Sequence, residues 1–568
     1  MKKLILTSLS LISAIFLNGQ IQTFQWVKAT ELNPYGPLFV NAVDQSGNAY
    51  GAGIFKGTVD FDPGAGVFNL TAQGNMWGDI FILKLDPIGN FIWAKQIGGV
   101  SYEHCNSIIL DDYGNIYMAG TFSETVDFDP NSGVFNLSTK GIHDEDAFVL
   151  KLDPNGNFLW VKNMGGYSND NAFGISLDKN GNIYTTGRFA NTADFDPSLN
   201  DYNLTSAGDY DAFILKLDAL GKLVWAKKIG GSGYDSGNKI KIDPMGNIYT
   251  IGGFLGTSDF DPGSGIFNLT SVGSQSNSFL SKLNESGNFV WAVNLGTYSA
   301  EAMTVDPLGN VYPIGIYRGT VDMDPGIGTF NLTSAGPAGT NDIVISKLNS
   351  SGNFIWAKSI GGANNDRGYS ITIDGTGNIY ATGYFALTTD FDPNAGTHNI
   401  TSYGGIDIFI LKLDSQGNLV WVKTMGGPSN ESGNSIVIDN LENIYIVGDF
   451  VDTVDFDPDS ASFYLTPSSK SIFIHKMSKF GLGIDKYSIT GNLAIYPNPT
   501  AGVFSIVCNG QDLSHIEIYN SLGTLVYKRT FITETNTIDL ANHPNGIYFI
   551  KLIDDENKIS TARIIKTN

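Results

Sequence analysis

The sequence predicts an all-β chain: a seven-bladed β-propeller closed by an N-terminal strand, then a small C-terminal immunoglobulin-like β-sandwich. Three observations predict it. Gly supplies 67 of 568 residues and aromatics 12%, a composition of short strands punctuated by turns and not of helical bundles. Seven of the eight Trp recur in one local pattern, at Trp26, Trp93, Trp160, Trp225, Trp291, Trp356 and Trp421, at intervals of 67, 67, 65, 66, 65 and 65. The seventh unit stops after Phe473–Met477 without its Trp strand, while Phe24–Lys28 stands alone at the N-terminus. Pairing the two closes a ring and buries its last edge.

From the N-terminus, Met1-Lys2-Lys3 precedes a 14-residue apolar run, Leu4–Leu17, and then Asn18-Gly19. A basic start and an apolar stretch of that length predict a secretory signal peptide over 1–19. No Cys follows it to carry a lipid anchor, and no later stretch approaches the 18 apolar residues of a membrane span. Cys105 and Cys508 read as free thiols in different modules. With 34 Lys+Arg against 56 Asp+Glu the net charge is −22, which excludes nucleic-acid binding driven by phosphate contacts.

Residues 20–480 carry the repeats. Asp-x-x-Gly-Asn-[Ile/Val]-Tyr recurs from Asp111, Asp178, Asp243, Asp306 and Asp374, with variants at Asp44 and Asp439. These are tight hairpin turns, in which Gly and Asn tolerate positive φ. A strand of the Phe-Ile-Leu-Lys-Leu-Asp type begins at Phe81, Phe148, Phe213 and Phe409, with relatives at Phe279, Ile343 and Phe473. Each unit then has four strands. An arm of about twenty residues joins the second to the third, and its alternation (Thr58–Asp62 against Phe68–Thr71) predicts a small hairpin. Repeated four-stranded units around an axis make a propeller, and seven lies within the usual range.

Two acidic sets are candidate ligand sites. Asp-x-Asp-Pro occurs seven times: Asp60 and Asp62, Asp127 and Asp129, Asp194 and Asp196, Asp259 and Asp261, Asp322 and Asp324, Asp390 and Asp392, Asp455 and Asp457. Side chains at i and i+2 of a strand share a face, so each pair offers two carboxylates to Ca²⁺. No bidentate Glu recurs downstream, and the competing reading is that the pair caps the turn before Pro while Phe61 and its equivalents pack the arm down. The second set precedes each turn Asp by eight residues: Gly36, Glu103, Asp170, Asp235, Tyr298, Asp366 and Glu431. Sitting where the chain crosses between units, Glu103, Asp170, Asp235, Tyr298, Asp366 and Glu431 are expected to ring one mouth of the axial channel. There they would bind cations, or sugar hydroxyls together with Tyr102, Tyr167, Tyr234 and Tyr369. The competing reading ties each acid to neighbouring backbone amides.

Enzyme motifs are absent: no His-Glu-x-x-His, Gly-x-Ser-x-Gly or Walker pattern occurs. His104, His143, His398, His475, His515 and His543 fall at unrelated repeat positions and read as loop or surface residues. Apart from Gly36 and Tyr298 in the acidic ring, no cluster of unusual residues is expected to break the repeat symmetry.

Gly361-Gly362, Asp366, Ile371-Thr372-Ile373-Asp374, Gly377-Asn378-Ile379-Tyr380 and Gly383 resemble the SBBP-type seven-bladed β-propeller repeat, a resemblance that covers about 20–480. It implies fold and says little of function. The fifth unit departs from it, with Leu295-Gly296-Thr297 and Pro313.

After a linker over 481–491, seven short apolar runs in 492–568 predict the sandwich. This module carries Tyr496-Pro497-Asn498-Pro499 with Gly502, then Ile518–Gly523, then Pro544-Asn545-Gly546-Ile547-Tyr548. It is similar to the type A C-terminal sorting domain of the type IX secretion system, whose marker positions here are Tyr496, Pro497, Asn498, Pro499, Gly502, Gly523, Gly546 and Tyr548. The resemblance implies Sec export, passage through the type IX machinery of a Gram-negative outer membrane, and removal of the tail. The product would be released or held at the outer face. From Gly481 on there are 7 basic and 8 acidic residues, so the acidity belongs to the repeats.

The expected function is a non-catalytic, secreted or surface-displayed protein that binds an extracellular polysaccharide or protein. No cofactor is required, and Ca²⁺ is the one candidate. The alternatives are a polysaccharide hydrolase or lyase using Asp170, Asp235 and Asp366 as acid and base, and a passive surface scaffold. One acid per blade makes the 5–5.5 Å carboxyl spacing of retaining glycosidases hard to reach.

Overall fold

The computed structural model describes residues 22–31, 40–74, 78–198, 200–273, 276–296, 299–337, 339–459, 461–479, 493–496, 500, 502–508, 513–520, 525–530, 535–554 and 559–566. The expected signal peptide, the linker, and the candidates Gly36 and Tyr298 lie outside the described residues. All described elements are strands, and among the described residues no helix is long and apolar enough to cross a membrane. The chain divides into two compact units, Gln22–Lys479 and a second that holds Phe480–Asn568.

Within Gln22–Lys479 each repeat builds an antiparallel sheet from consecutive strands. In the second these are Glu103–Leu110, Ile116–Ser123, Glu145–Leu152 and Phe158–Gly166. The first strands of successive repeats touch one another in order, from Val40–Val43 through Glu103–Leu110 to Ser432–Ile438, which in turn touches Val40–Val43. Gln22–Thr30 pairs antiparallel with Ser471–Lys479, Val27 opposite His475, as the outer strand of the last sheet.

The turn motif explains the local folding. In the sixth repeat, Asp374 Oδ1 accepts from the amides of Thr376 (2.9 Å) and Asn378 (3.0 Å). Its Oδ2 accepts from Asn378 Nδ2 (2.8 Å) and from the buried Tyr380 hydroxyl (3.2 Å). Only the Gly takes positive φ, Gly377 at 84°; in the last repeat Glu442 takes its place at 60°. The Asn is therefore required for its side-chain amide and not, as the sequence suggests, for a left-handed backbone. The Lys of the third strand lies over the Tyr ring, Lys412 Nζ 4.8 Å from the Tyr380 centroid.

The arms are hairpins, Thr58–Asp60 against Asn69–Thr71 in the first repeat. Six of the seven are anchored by one buried aromatic: Phe61 sits 5.1 Å from Phe55 and 4.8 Å from Phe81, ring centre to ring centre. Burying a Phe fully is worth roughly 1.5–3 kcal/mol. Met323 fills this position in the fifth repeat. Trp side chains pack against the next repeat's hairpin: Trp291 Nε1 donates to the Ser350 carbonyl (3.1 Å), and Trp26 Nε1 likewise to the Pro87 carbonyl (3.1 Å).

In the second unit, Leu493–Tyr496, Val503–Cys508 and Thr535–Asp539 form one sheet. Leu513–Asn520, Leu525–Thr530, Gly546–Asp554 and Ile559–Lys566 form another. Phe504, Ile506, Ile518, Ile538, Ile550 and Ile564 contribute to their shared core.

Each arm begins with a residue at positive φ: Gly57, Glu124, Asn191, Gly256, Gly319, Leu387 and Asp452. Leu387, at 56°, bears the steric cost of its Cβ with a side chain that is half exposed. Leu387→Gly is expected to stabilise the protein by about 1 kcal/mol, read as a higher urea midpoint at unchanged m value. A lower midpoint would mean that the leucine contributes packing that outweighs the strain.

Candidate functional site

The ring acids sit at the start of each first strand, just after the glycine pair that ends the preceding fourth strand. Asp170 Oδ2 accepts from the Gly166 amide (2.8 Å) and Oδ1 from Ala190 N (3.2 Å). Asp235 accepts from Gly231 N (2.8 Å) and Ser258 Oγ (2.7 Å). Asp366 accepts from Ala386 N (3.0 Å) and Thr389 Oγ1 (2.9 Å), and Glu431 from Gly427 N (3.0 Å). Glu103 lies beside the Gly99 amide. All five residues are 0–2% exposed; Asp170, Asp235, Asp366 and Glu431 tie strand to crossover and arm, whereas both Glu103 carboxyl oxygens are buried without a hydrogen-bond partner. Burial is the largest influence on each and pushes the carboxyls up, Glu103 to about 9, Asp170 and Glu431 to about 8, Asp366 to about 7 and Asp235 to about 6.

The Asp-x-Asp-Pro pairs are likewise occupied. Asp60 Oδ1 accepts from Asp62 N (3.0 Å) and Phe68 N (2.8 Å), and Asp62 Oδ1 from Gly64 N (2.8 Å). Asp127, Asp194, Asp259, Asp322, Asp390 and Asp455 make the same pair of bonds across the tips of their arms. Asp129, Asp196, Asp261, Asp324, Asp392 and Asp457 each accept one amide two residues on. Among the described residues no group of three or more His, Cys, Asp or Glu gathers around a point where a metal ion would sit.

The open space lies next to the ring acids, one and three residues further along the first strands. One cavity of about 740 Å³ is lined by Asn106, Phe173, Tyr234, Asn238, Lys239 and Glu301, among others. A second, of about 600 Å³, shares Lys239 and Glu301 and adds Tyr369, Tyr384, Asp449 and Lys470. A narrower space of about 350 Å³ runs between the first strands of all seven repeats and takes in Lys239 and Lys241.

Here the repeats stop being alike at positions other than Gly36 and Tyr298, the two breaks that the sequence leads one to expect. Arg188 occupies a position held by Thr121, Gly253, Ile316, Tyr384 and Asp449 elsewhere. Its Nε donates to Asn171 Oδ1 (2.8 Å), its Nη1 bonds the Tyr234 hydroxyl, and its guanidinium lies 4.8 Å from the Tyr210 ring and 5.5 Å from that of Phe173. Arg367 pairs with Glu301 and lies over the Tyr369 ring at 4.9 Å. Asp449 holds Lys470 at 2.9 Å. No nucleophile or metal motif marks these residues in the sequence; only the repeats laid over one another, position by position, single them out. Among the expected sugar contacts, Tyr234 and Tyr369 line the cavities, whereas Tyr167 is an exposed surface residue.

Two histidines correct the surface reading. His475 is fully buried in its strand, with Nε2 2.9 Å from the Phe456 carbonyl. Burial pushes both His475 and His104 down to about 4.

In the C-terminal unit, Gly502 adopts φ 131° and its carbonyl accepts from Leu540 N (2.7 Å), while the Tyr548 hydroxyl donates to the Pro544 carbonyl (2.5 Å). The Tyr496 backbone pairs with Ser505. Pro497, Asn498, Pro499 and Gly523 lie outside the described residues.

A carboxyl raised by burial contributes stability that is fully present below its unfolded value near 4.5 and is lost as pH rises through its folded value. Glu103→Gln should therefore match the wild type in unfolding free energy near pH 4.5 and exceed it at pH 9, by on the order of 6 kcal/mol if the whole shift is realised. Parallel pH profiles for the two proteins would show that Glu103 is ionised in the fold.

Residues 494–567 match the family described as secretion system C-terminal sorting domain. Residues 92–121, 159–188 and 355–384 match the β-propeller repeat family, each segment running from a fourth strand across a ring acid to the next second strand. An uncharacterized WD repeat-containing protein of Acanthamoeba polyphaga mimivirus is 26% identical over 487 residues, 72% of this chain and 34% of that protein. An ulvan lyase of Nonlabens ulvanivorans is 26% identical over 231 residues, 38% of each chain. The chain thus spans little more than a third of these relatives' lengths. Sqt1 from Chaetomium thermophilum aligns over 69% of this chain and 90% of its own at 10% identity, with a TM-score of 0.28. The chain carries β-propeller repeats of the SBBP type and, over 494–567, a type IX secretion C-terminal sorting domain, which marks it for export to the cell surface or extracellular space.

Proposed function

We propose that residues 20–480 form a closed seven-bladed propeller that binds an extracellular polysaccharide, without catalysis, in the two adjoining cavities at one mouth of its channel. Three features support closure: the pairing of Val27 with His475, the packing of Trp26 on the Gly89 hairpin, and the contact of Ser432–Ile438 with Val40–Val43. Residues 1–19 act as the signal peptide, 481–491 as a linker, and 492–568 as an immunoglobulin-like module removed after export through the Sec and type IX machinery.

The observation that carries the binding reading is the local loss of repeat symmetry. Rings of Phe173, Tyr234, Tyr369 and Tyr384 stand beside Arg188, Lys239, Glu301 and Asp449 around open space of ligand size. Apolar faces with a few placed polar groups are what small-molecule and sugar sites require. A passive scaffold has no need of such a departure. The ulvan lyase relative favours a polysaccharide over a protein as ligand, and it keeps a lyase as the second reading. Asp170, Asp235 and Asp366 are poor acid–base candidates for it, because each is buried and already bonded within the fold.

A polysaccharide array probed with the exported protein, in calcium and again in chelator, should give saturable binding to one polysaccharide class. Tyr369→Ala should weaken it about tenfold, equal to 1.4 kcal/mol. Loss of signal in chelator would bring the arm carboxylates back as metal sites. Silence in both buffers would overturn the reading in favour of a protein partner or a structural role, and product release from a bound polymer would favour the lyase.

A further inference from the structure

Lys239 and Lys241 stand at i and i+2 of the strand Ser236–Ile242, so both project to one side, into the space between the first strands. At the Lys239 position the other described repeats carry Ser107, Gly174, Ala302, Ser370 and Ser435. One repeat alone therefore supplies two ammonium groups. Among the described residues neither makes a hydrogen bond or an ion pair. Enclosure disfavours the charge of both, and Lys241 adds to this at Lys239. Glu301, the nearby carboxylate, is already held by Arg367 and by Ser299 Oγ (2.9 Å). Arg188, stacked on the Phe173 and Tyr234 rings that line the larger cavity, is held by neutral partners and likewise makes no ion pair among the described residues.

Lys239 stands where the cavity of about 740 Å³ meets the narrower space, with Lys241 beside it in that space, in a chain whose net charge is −22. Asp235, four residues before Lys239, already accepts from Gly231 N and Ser258 Oγ and turns away from the lysines' space. Placing like charges together in a confined space is unfavourable unless an anion enters. The aromatic rings around Arg188 offer flat apolar faces beside the charge, and the cavity of about 740 Å³ accommodates more than one sugar ring.

We propose that this cavity takes an acidic sugar unit of an extracellular polysaccharide, its carboxylate or sulfate group set against Lys239, with Lys241 beside it in the adjoining narrow space, and its ring beside Phe173 and Tyr234. The assignment rests on the polysaccharide-binding reading and specifies its charge. A polyanion would otherwise be repelled by so acidic a protein, so binding of one is a selective signature of this site.

The test is calorimetric titration of the full exported chain with three probes: dextran, dextran sulfate and polygalacturonate. One or both polyanions should bind, with affinity falling as salt is raised, and dextran should not. Preference for dextran sulfate identifies a sulfate as the anion, and preference for polygalacturonate a carboxylate. Lys239→Met should weaken the preferred polyanion at least tenfold, while Lys239→Arg should retain it. Without ligand, Lys239→Met should unfold at an equal or higher urea concentration, because it removes a repelled, enclosed charge. Should Lys239→Met fail to fold, Lys241→Met serves as the same measurement at the more exposed position. Equal binding of dextran and the polyanions, or undiminished affinity in the lysine variants, would overturn the acidic-sugar assignment and leave neutral polysaccharide binding standing. No binding of any probe would overturn the assignment together with the reading beneath it.

Discussion

One carboxylate per repeat organises the fold. The turn aspartate of Asp-x-x-Gly-Asn-x-Tyr closes its hairpin through two backbone amides and orients the Asn side chain. It also fixes the hydroxyl of a Tyr that is otherwise buried in the sheet. With the ring so fixed, the third-strand Lys lies over its face and reaches the neighbouring repeat, as Lys84 does at the Pro154 carbonyl (3.1 Å) and Lys476 at the Pro87 carbonyl (2.9 Å). Local turn, sheet core and contact between repeats thus depend on the same few atoms. Charge-assisted hydrogen bonds are the strong ones, and sharing one acceptor among four donors makes the unit cooperative.

The repeat count, the four strands per unit and the hairpin arms were legible in the sequence because each has a period or a turn residue that physics demands. The Asp-Phe-Asp arm is the clearest case: alternation put Phe61 inward and both Asp outward, where their carboxylates bond the arm's own amides. The ring acids were legible as positions but not in orientation. A residue on a crossover has no periodicity to say whether it faces the lumen or turns back under the chain, and Asp170 and Glu431 turn back. Lys239, Arg188 and Glu301 escaped notice for the opposite reason. Each lies inside a strand of ordinary pattern, and its meaning appears only when seven strands are brought side by side.

Burial acts on both kinds of charge, but Asp170 and Glu431 find partners in the fold where Lys239 and Lys241, among the described residues, find none. Carboxyls folded under the crossovers are dehydrated and drift toward their neutral form, so they serve as hydrogen-bonded struts. The cations on the adjoining surface remain beside open space. Acidic struts and lysines beside open space thus follow one another within a few residues of one strand, as Asp235 and Lys239 do.

The sharing of one sheet between the two ends of the repeat array has a consequence for how the molecule comes apart. Stacked arrays open from their ends, repeat by repeat, with stability that grows by increments. In the closed ring proposed above, where Gln22–Thr30 completes the sheet begun by Ser432–Ile438, there would be no terminal repeat to fray. The contact joins residues more than four hundred positions apart, so it forms late, and once formed it links the unravelling of the first repeat to that of the last. Such an array loses its gradation and unfolds as one body. In the protease-rich space outside a cell, that is the difference between a chain trimmed from its tips and one that resists until it opens altogether.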